Sequence, residues 1–148
     1  MLKTQSQHVP MRLRLARWLA YTVGVLAPLG DTIRRWGTWQ QFPPALLDDY
    51  LLGVLLVAGA WATRGAPSER ARALLAAAWG FTCAMGYTST ALQWQAMQRG
   101  EIDPAPVPSS AVLVIKLAGT LVAAIALILT LVDAPGVARG GASGREPS

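Results

Sequence analysis

Apolar residues are concentrated in four stretches of the chain, which polar segments separate. The stretches are 13–29, 45–63, 71–92 and 111–132. Each approaches or reaches the roughly 20 residues that a helix needs to cross the ~30 Å hydrocarbon core of a bilayer. Because lipid offers no partners to backbone N–H and C=O groups, each stretch has to satisfy them internally as a helix. The pattern predicts an all-α integral membrane protein with four transmembrane helices in an antiparallel bundle.

The four stretches differ in how completely they exclude charge. The fourth contains a single charged residue, Lys116, and the charges of the second, Asp48 and Asp49, are confined to its first turn. The first stretch is the least regular, because Arg14 and Arg17 interrupt it. A short apolar run after basic residues also describes a secretory signal peptide. However, Ala27-Pro28-Leu29-Gly30 offers no A-x-A cleavage pattern, so we expect this helix to be retained; cleavage would leave three spans.

Residues that commonly begin and end helices separate the stretches. Residues 64–67, Arg-Gly-Ala-Pro, end the second helix, and Ser68 is placed to cap the third, with Glu69 beside its positive dipole end. Ser109 or Ser110 caps the fourth. The helical domain therefore covers 13–133. We expect a flexible basic leader over 1–12 and a disordered Gly-rich tail over 134–148.

The distribution of basic residues orients the predicted bundle. With four crossings, the two termini and the connection around 64–72 share one side, which holds nine of the 13 Lys and Arg residues, and the opposite loops hold three. Cytoplasmic loops carry such an excess, so both termini are expected in the cytoplasm of a bacterial inner membrane. The tryptophans agree: Trp18 and Trp61 fall at the cytoplasmic interface, Trp36, Trp39 and Trp94 at the outer one, and Trp79 inside a span.

Composition supports a membrane protein and excludes several other classes. Hydrophobic residues make up 53% of the chain and charged residues 14%, against about 25% charged in an average soluble domain. A single cysteine, Cys83, excludes a disulfide-stabilised module. The one histidine, His8, lies in the leader, so we expect neither cofactor nor metal. The net charge of +5 is spread over membrane-flanking segments, where anionic lipid explains it better than nucleic acid does.

Small residues recur at helical spacing in three of the stretches, and such stripes let helices pack closely in lipid. The predicted packing stripes are Lys116, Gly119, Ala123, Ala126 and Thr130 on the fourth helix; Ala73, Ala77, Gly80, Ala84 and Tyr87 on the third; and Asp49, Gly53, Leu56 and Ala60 on the second.

One group of polar residues is predicted to meet near the outer end of the bundle, because an ionisable residue inside a span is costly. By helical rise, Lys116 and the two aspartates lie at about the same depth. The predicted ligand or ion-pair cluster consists of Asp48, Asp49, Lys116, Tyr87, Thr88 and Gln93. Two structural explanations compete with a ligand site: Lys116 reaches the headgroups along its own stem, or it forms a buried ion pair that fixes helix register.

Three functions of different classes fit this sequence. The first is a small non-enzymatic membrane protein that associates with copies of itself or with another membrane protein, as an accessory subunit or homo-oligomer. The second is a minimal transporter or channel that uses the Asp/Lys cluster. The third is a membrane enzyme acting on a lipid. No nucleotide-binding loop, zinc-protease motif or nucleophile elbow occurs, which disfavours an enzyme.

Overall fold

A computed structural model describes residues 10–34, 44–65, 68–101 and 107–132. These residues form four α-helices, and no strand occurs among them. The helices are α1 (Met11–Arg34), α2 (Pro44–Ala62), α3 (Glu69–Gln98) and α4 (Ser109–Val132). The all-helical prediction and the number of helices are confirmed. Residues 1–9 and the predicted tail lie outside the described residues, as do Trp36 and Trp39.

Two helices run well past the C-terminal ends of the apolar stretches that predict them. The first runs to Arg34, past the predicted end at Leu29, and the third continues to Gln98, past Leu92. Apolar content marks only the part of a helix suited to lipid, whereas the helix itself continues until a residue ends it. At the end of α3 that residue is Gly100, whose φ of +72° suits a residue without a Cβ.

The connection between α2 and α3 is as the sequence predicts. The Thr63 hydroxyl donates to the carbonyls of Gly59 and Ala60, and Gly65 adopts a φ of +84° just after the helix end. Ser68 then caps α3, since its Oγ accepts a hydrogen bond from the N–H of Ala71 at 3.2 Å.

The helices form a ring in which each contacts the next and α4 closes against α1. Thr63, at the end of α2, meets Arg17 near the start of α1, and Tyr50, near the start of α2, meets Thr32 near the end of α1. Gly59 packs on Leu75 across the short α2–α3 connection. Consecutive helices are therefore antiparallel. We call the end where α1 begins and α4 ends the basal end, and the opposite end the distal end.

One helix, α4, is long and apolar enough to cross a membrane by length and composition, judged over the described residues. The other three do not meet this criterion there, so the prediction of four spans is not confirmed. Charged residues lie within each of those helices: arginines in the first turns of α1 and α3, and aspartates near the start of α2.

The buried core lies mainly toward the basal end and is built from a few large side chains among small ones. Trp79, Leu13, Leu56 and Leu75 are the largest buried hydrophobic side chains. Alanines from all four helices fill the space around them: Ala16, Ala20, Ala60, Ala71, Ala78, Ala123 and Ala126. Trp79 is fully buried inside the bundle, a position that its predicted depth in a span does not specify.

The backbones of α1 and α2 approach each other closely where the helices cross at two glycines. A Cβ added to Gly53 would lie 2.5 Å from the Gly24 carbonyl oxygen and 3.2 Å from Pro28 Cγ. Pro28 has no N–H to donate to the Gly24 carbonyl, which would be its partner in a regular helix. That carbonyl instead faces the Cα hydrogens of Gly53, a weak Cα–H···O arrangement known from close helix packing.

The predicted small-residue stripes match the structure in part on α2 and α4 and are wrong on α3. Gly53, Leu56 and Ala60 of α2 are buried, as are Ala123, Ala126 and Thr130 of α4, whereas Gly119 of α4 is exposed. On α3, however, the predicted stripe lies on the outer face, with Ala73, Ala77, Ala84 and Tyr87 exposed and Gly80 without a neighbour. The packed face carries Ala71, Leu75, Ala78, Trp79, Thr82 and Gln93. Alanine spacing alone does not distinguish these faces, because alanine is accommodated on both.

The inner face of α4 is less closely packed at Gly119 than at the alanines nearer the basal end. On the inner face of α4, Ala123 and Ala126 are fully buried, but no atom lies within 4 Å of a Cβ built on Gly119, one turn nearer the distal end. Close contacts within each pair include the Gly24–Gly53 crossing of α1 and α2 and the approach of Gly86 to Thr120 between α3 and α4.

We expect Gly53→Ala to destabilise the bundle by about 1–3 kcal/mol, because the new methyl group would have to displace backbone rather than a flexible side chain. The measurement is the free energy of unfolding in mixed detergent micelles. Gly119→Ala is the matched control: its methyl group enters open space, so we expect unchanged or slightly higher stability, by up to about 1 kcal/mol. Equal losses in the two variants would contradict the crossing.

Candidate functional site

The predicted polar cluster is centred on Lys116 in the structure. Its Nζ donates to Gln93 Oε1 at 3.2 Å and lies 3.5 Å from the carbonyl oxygen of Ser89. Gln93 is only 6% exposed, and Lys116 is half-buried. A lysine in an apolar helix thus has its amine held by a buried amide and a backbone carbonyl of the neighbouring helix. This contact joins α3 to α4 near the distal end.

Helical register brings these groups together. Ser89 and Gln93 are one turn apart on the packed face of α3, so both point at α4. One turn further from the distal end, Gly86 lets Thr120 approach α3 closely. The Thr120 hydroxyl donates to the carbonyl of Lys116, so the polar groups of this region form one continuous series along the α3–α4 contact.

The two aspartates lie on α2, and α2 and α4 are on a diagonal of the ring. Asp49 is half-buried and shares a face of its helix with the buried Gly53 and Leu56. Lys116 shares a face with the buried Ala123. The opposite charges therefore stand on the inner faces of helices that do not adjoin, and the predicted Asp49–Lys116 pair would have to form across the bundle axis. That pair stays a prediction, as does a role for Asp48, which is half-buried.

Two predicted members of the cluster face away from it. Tyr87 is 72% exposed on the outer face of α3. Thr88 is exposed as well, and its hydroxyl donates to the Ala84 carbonyl of its own helix at 3.0 Å. Both residues lie at the depth of the cluster along α3. However, a helix turns by about 100° per residue, so their side chains point away from the face that carries Ser89 and Gln93. The described contacts thus join Lys116 to Gln93 and not to Tyr87 or Thr88.

A second polar cluster, at the basal end, is not predicted by the sequence analysis. Arg17 Nη1 donates to the Thr63 carbonyl at 3.1 Å, which satisfies an acceptor at the C-terminus of α2. Arg64 Nε donates to the Tyr21 hydroxyl at 2.8 Å, and its guanidinium carbon lies 5.2 Å from the Tyr21 ring centroid. The edge of Trp18 packs against the same ring, with 6.4 Å between centroids.

The sequence contains one signal for this basal cluster. Arg17 and Tyr21 are four residues apart and so lie on one face of α1. The structure shows that this face meets the turn at 63–64, where one side chain holds a backbone carbonyl and the other an arginine. From the sequence, Arg17 is treated only as a charge that interrupts an apolar stretch, so its hydrogen bond to the end of α2 is not predicted.

No group of three His, Cys, Asp or Glu residues suited to a metal ion occurs among the described residues. Comparison with known proteins adds no assignment: no family model matches the chain, and no curated protein or solved structure matches it significantly. Function is therefore argued from the two polar clusters and from the outer surface of the bundle.

We expect Lys116→Met and Gln93→Leu to be energetically coupled, because each removes one partner of the same buried hydrogen bond. A double-mutant cycle on the free energy of unfolding in micelles should give a coupling of about 0.6 kcal/mol, typical of interhelical hydrogen bonds in membrane proteins. Thr88→Val is the matched control, since Thr88 bonds only its own helix among the described contacts; paired with Lys116→Met, it should be additive. Additivity in both cycles would contradict the assigned contact.

Proposed function

We propose that this protein is a four-span integral membrane protein, with both termini in the cytoplasm, that works through lateral association in the bilayer rather than through catalysis. The observation that carries the proposal is the distribution of side-chain size between the interior and the surface. Small residues line much of the helix contacts, whereas large apolar side chains are exposed on all four helices, most densely on α4 and on α3 interspersed with exposed alanines. Interiors rich in small residues are typical of helix packing in lipid.

The exposed apolar surface extends along the full bundle. On α4 the exposed large side chains are Val114, Ile115, Leu117, Leu121, Ile125, Ile128, Leu131 and Val132. The other helices expose Leu15, Val25, Leu26, Leu29, Leu47, Leu51, Val54, Leu74 and Leu92 among others. Soluble monomers rarely expose apolar patches larger than a few hundred Å². A surface of this kind on every helix supports lipid contact for all four, beyond the single helix that length and composition identify.

The ends of the bundle support the orientation. The basal end carries Trp18 and Trp61, each 66% exposed, and the distal end carries Trp94, 53% exposed. Exposed tryptophans at both ends fit the two headgroup layers. The charged residues described at the basal end are six arginines and one acidic residue, Glu69. The positive-inside rule places such an end in the cytoplasm.

We expect a reporter fused after Ser148 to be located in the cytoplasm, because an even number of spans returns the chain to its starting side. A green fluorescent protein fused there should fluoresce and an alkaline phosphatase fused there should be inactive. Insertion of the same reporters between Glu101 and Val107 should give the reverse result. Phosphatase activity at the C-terminus would contradict four spans with cytoplasmic termini, and recovery of monodisperse protein without detergent would contradict membrane insertion itself.

The outer face of α3 is the surface that best supports association. Ala73, Ala77 and Ala84 are exposed there, and no atom lies within 4 Å of a Cβ built on Gly80. Helices associate in lipid where small residues let backbones approach. The other outer surfaces present mostly Leu, Ile and Val, which pack against lipid tails as well as against protein. We therefore place the association surface on α3.

Cysteine cross-linking tests this surface. In a Cys83→Ala background, we expect Ala77→Cys to form a disulfide-linked dimer in native membranes, because self-association would bring two copies of this face together. Ile125→Cys, on the exposed face of α4, is the matched control and should remain monomeric. A cross-link from residue 77 to a different membrane protein would identify an accessory subunit instead. Equal cross-linking at both positions, or none at residue 77, would contradict an α3 interface.

A minimal transporter is the second candidate, and one observation favours it. Asp49 and Lys116 are half-buried on inner faces of opposite helices, toward the distal end of the bundle. Intramembrane charges facing a bundle interior commonly mark ion or substrate paths. Under this candidate, Asp49→Asn would abolish ion or substrate uptake into proteoliposomes while leaving the topology unchanged. Under the association function it would affect stability alone.

A further inference from the structure

Arginines converge at the basal end where α1, α2 and α3 meet. Arg17 and Arg64 are fixed at the end of α2, and Arg70 is exposed in the first turn of α3, a short connection away. Arg12 and Arg14 are exposed at the start of α1. The region thus presents a concentrated positive charge on an ordered framework of helix ends.

Arg64 is oriented in a way that leaves its binding face open. Its Nε donates to the Tyr21 hydroxyl, and its guanidinium lies against the Tyr21 ring. The two terminal Nη groups donate to no described atom, and the side chain is exposed. A guanidinium held by Nε and by an aromatic ring presents its remaining N–H groups as a planar fork, which matches two oxygens of a phosphate. Holding the side chain in place also reduces the conformational entropy lost on binding.

We propose that Arg64, oriented by Tyr21, binds the phosphodiester of an anionic phospholipid in the cytoplasmic leaflet, with Arg17 adding positive charge beside it. This inference rests on the proposed function, which places the bundle in a membrane, and it names a ligand for the basal end of the bundle. Anionic lipids are concentrated at the cytoplasmic surface, which is the surface that this end faces.

The neighbouring side chains favour a lipid over a soluble phosphate. Trp18 packs against the ring that holds Arg64, and Trp61 lies one turn before Arg64 on α2; both are largely exposed. Exposed indoles are suited to the boundary between headgroups and acyl chains. The arginines would bind a phosphate headgroup, and the exposed tryptophans beside them would contact acyl chains. The two together match a phospholipid better than a soluble phosphate.

At the distal end, an arginine and a tyrosine also form hydrogen bonds, but not with each other. Arg99, after α3, forms an ion pair with Glu101 at 2.7 Å, so its charge is already neutralised. Tyr50 donates to or accepts from Thr32 rather than holding an arginine. The chain therefore supplies its own matched controls: one arginine and one tyrosine at each end.

The experiment titrates the purified full chain in detergent with phosphatidylglycerol or phosphatidylcholine and follows the thermal unfolding midpoint, each variant against its own lipid-free value. We expect the wild-type protein to be half-saturated by phosphatidylglycerol at roughly a tenfold lower concentration than by phosphatidylcholine. Arg64→Gln should remove about this tenfold preference. Arg64→Lys keeps the charge without the fork, so it should raise the half-saturating concentration of phosphatidylglycerol while keeping much of the charge-based preference. Tyr21→Phe, which removes only the oriented hydroxyl contact, should weaken binding about threefold.

The controls Arg99→Gln and Tyr50→Phe should keep the wild-type preference, and inorganic phosphate or an oligonucleotide at equal phosphate concentration should give no comparable shift. The proposal is overturned if Tyr21→Phe and Tyr50→Phe behave alike, if Arg64→Gln and Arg99→Gln behave alike, if the wild-type protein shows no lipid preference, or if either soluble phosphate compound stabilises as well as the lipid. The lipid titrations use detergent-solubilised protein, so their outcome does not depend on membrane insertion. A failure of insertion would be revealed separately, by recovery of monodisperse protein without detergent.

Discussion

The contact between the backbones of α1 and α2 constrains the rest of the bundle. Gly24 and Gly53 bring the two helices close enough that a single methyl group at Gly53 would collide with a carbonyl oxygen. Pro28 contributes chemically as well as sterically, since its missing N–H leaves the Gly24 carbonyl available to the partner helix. The α1–α2 pair therefore forms a compact unit against which α3 and α4 pack, and small residues at the interior follow from this close spacing.

In lipid, such close spacing of helices stabilises a bundle. Hydrocarbon tails are as apolar as leucine, so burying large aliphatic side chains between helices gains little there, whereas close backbone packing and interhelical hydrogen bonds remain favourable. The protein uses both: alanines and glycines at the helix contacts, and the Lys116–Gln93 and Arg17–Thr63 hydrogen bonds at opposite ends. Most of the large aliphatic residues lie on the outside, although Leu13, Leu56 and Leu75 are buried in the core. This division is consistent with the four-span arrangement that we propose.

Local sequence patterns predict the helices but not the contacts between them. The Ser68 cap and the end of α2 near Gly65 follow from chemistry within a few residues, and both predictions are confirmed. The packed face of α3 is mispredicted because alanines occur on both sides, and only the partner helices decide which side is buried. Lys116 is correctly identified as unusual, but its contact with Gln93 depends on the register of α3 against α4. The Arg64–Tyr21 contact joins residues far apart in sequence and leaves no local pattern.

The two ends of the bundle differ in how they are held, which bears on where each can act. At the basal end, Arg17 joins α1 to the end of α2, and a short capped connection joins α2 to α3. Toward the distal end, Tyr50 meets Thr32 within the α1–α2 pair, and Lys116 meets Gln93 within the α3–α4 pair. The basal contacts thus join three helices through backbone groups at helix ends, whereas these distal contacts join neighbouring helices through side chains within their spans. An ordered set of helix ends at the basal end suits a fixed lipid contact.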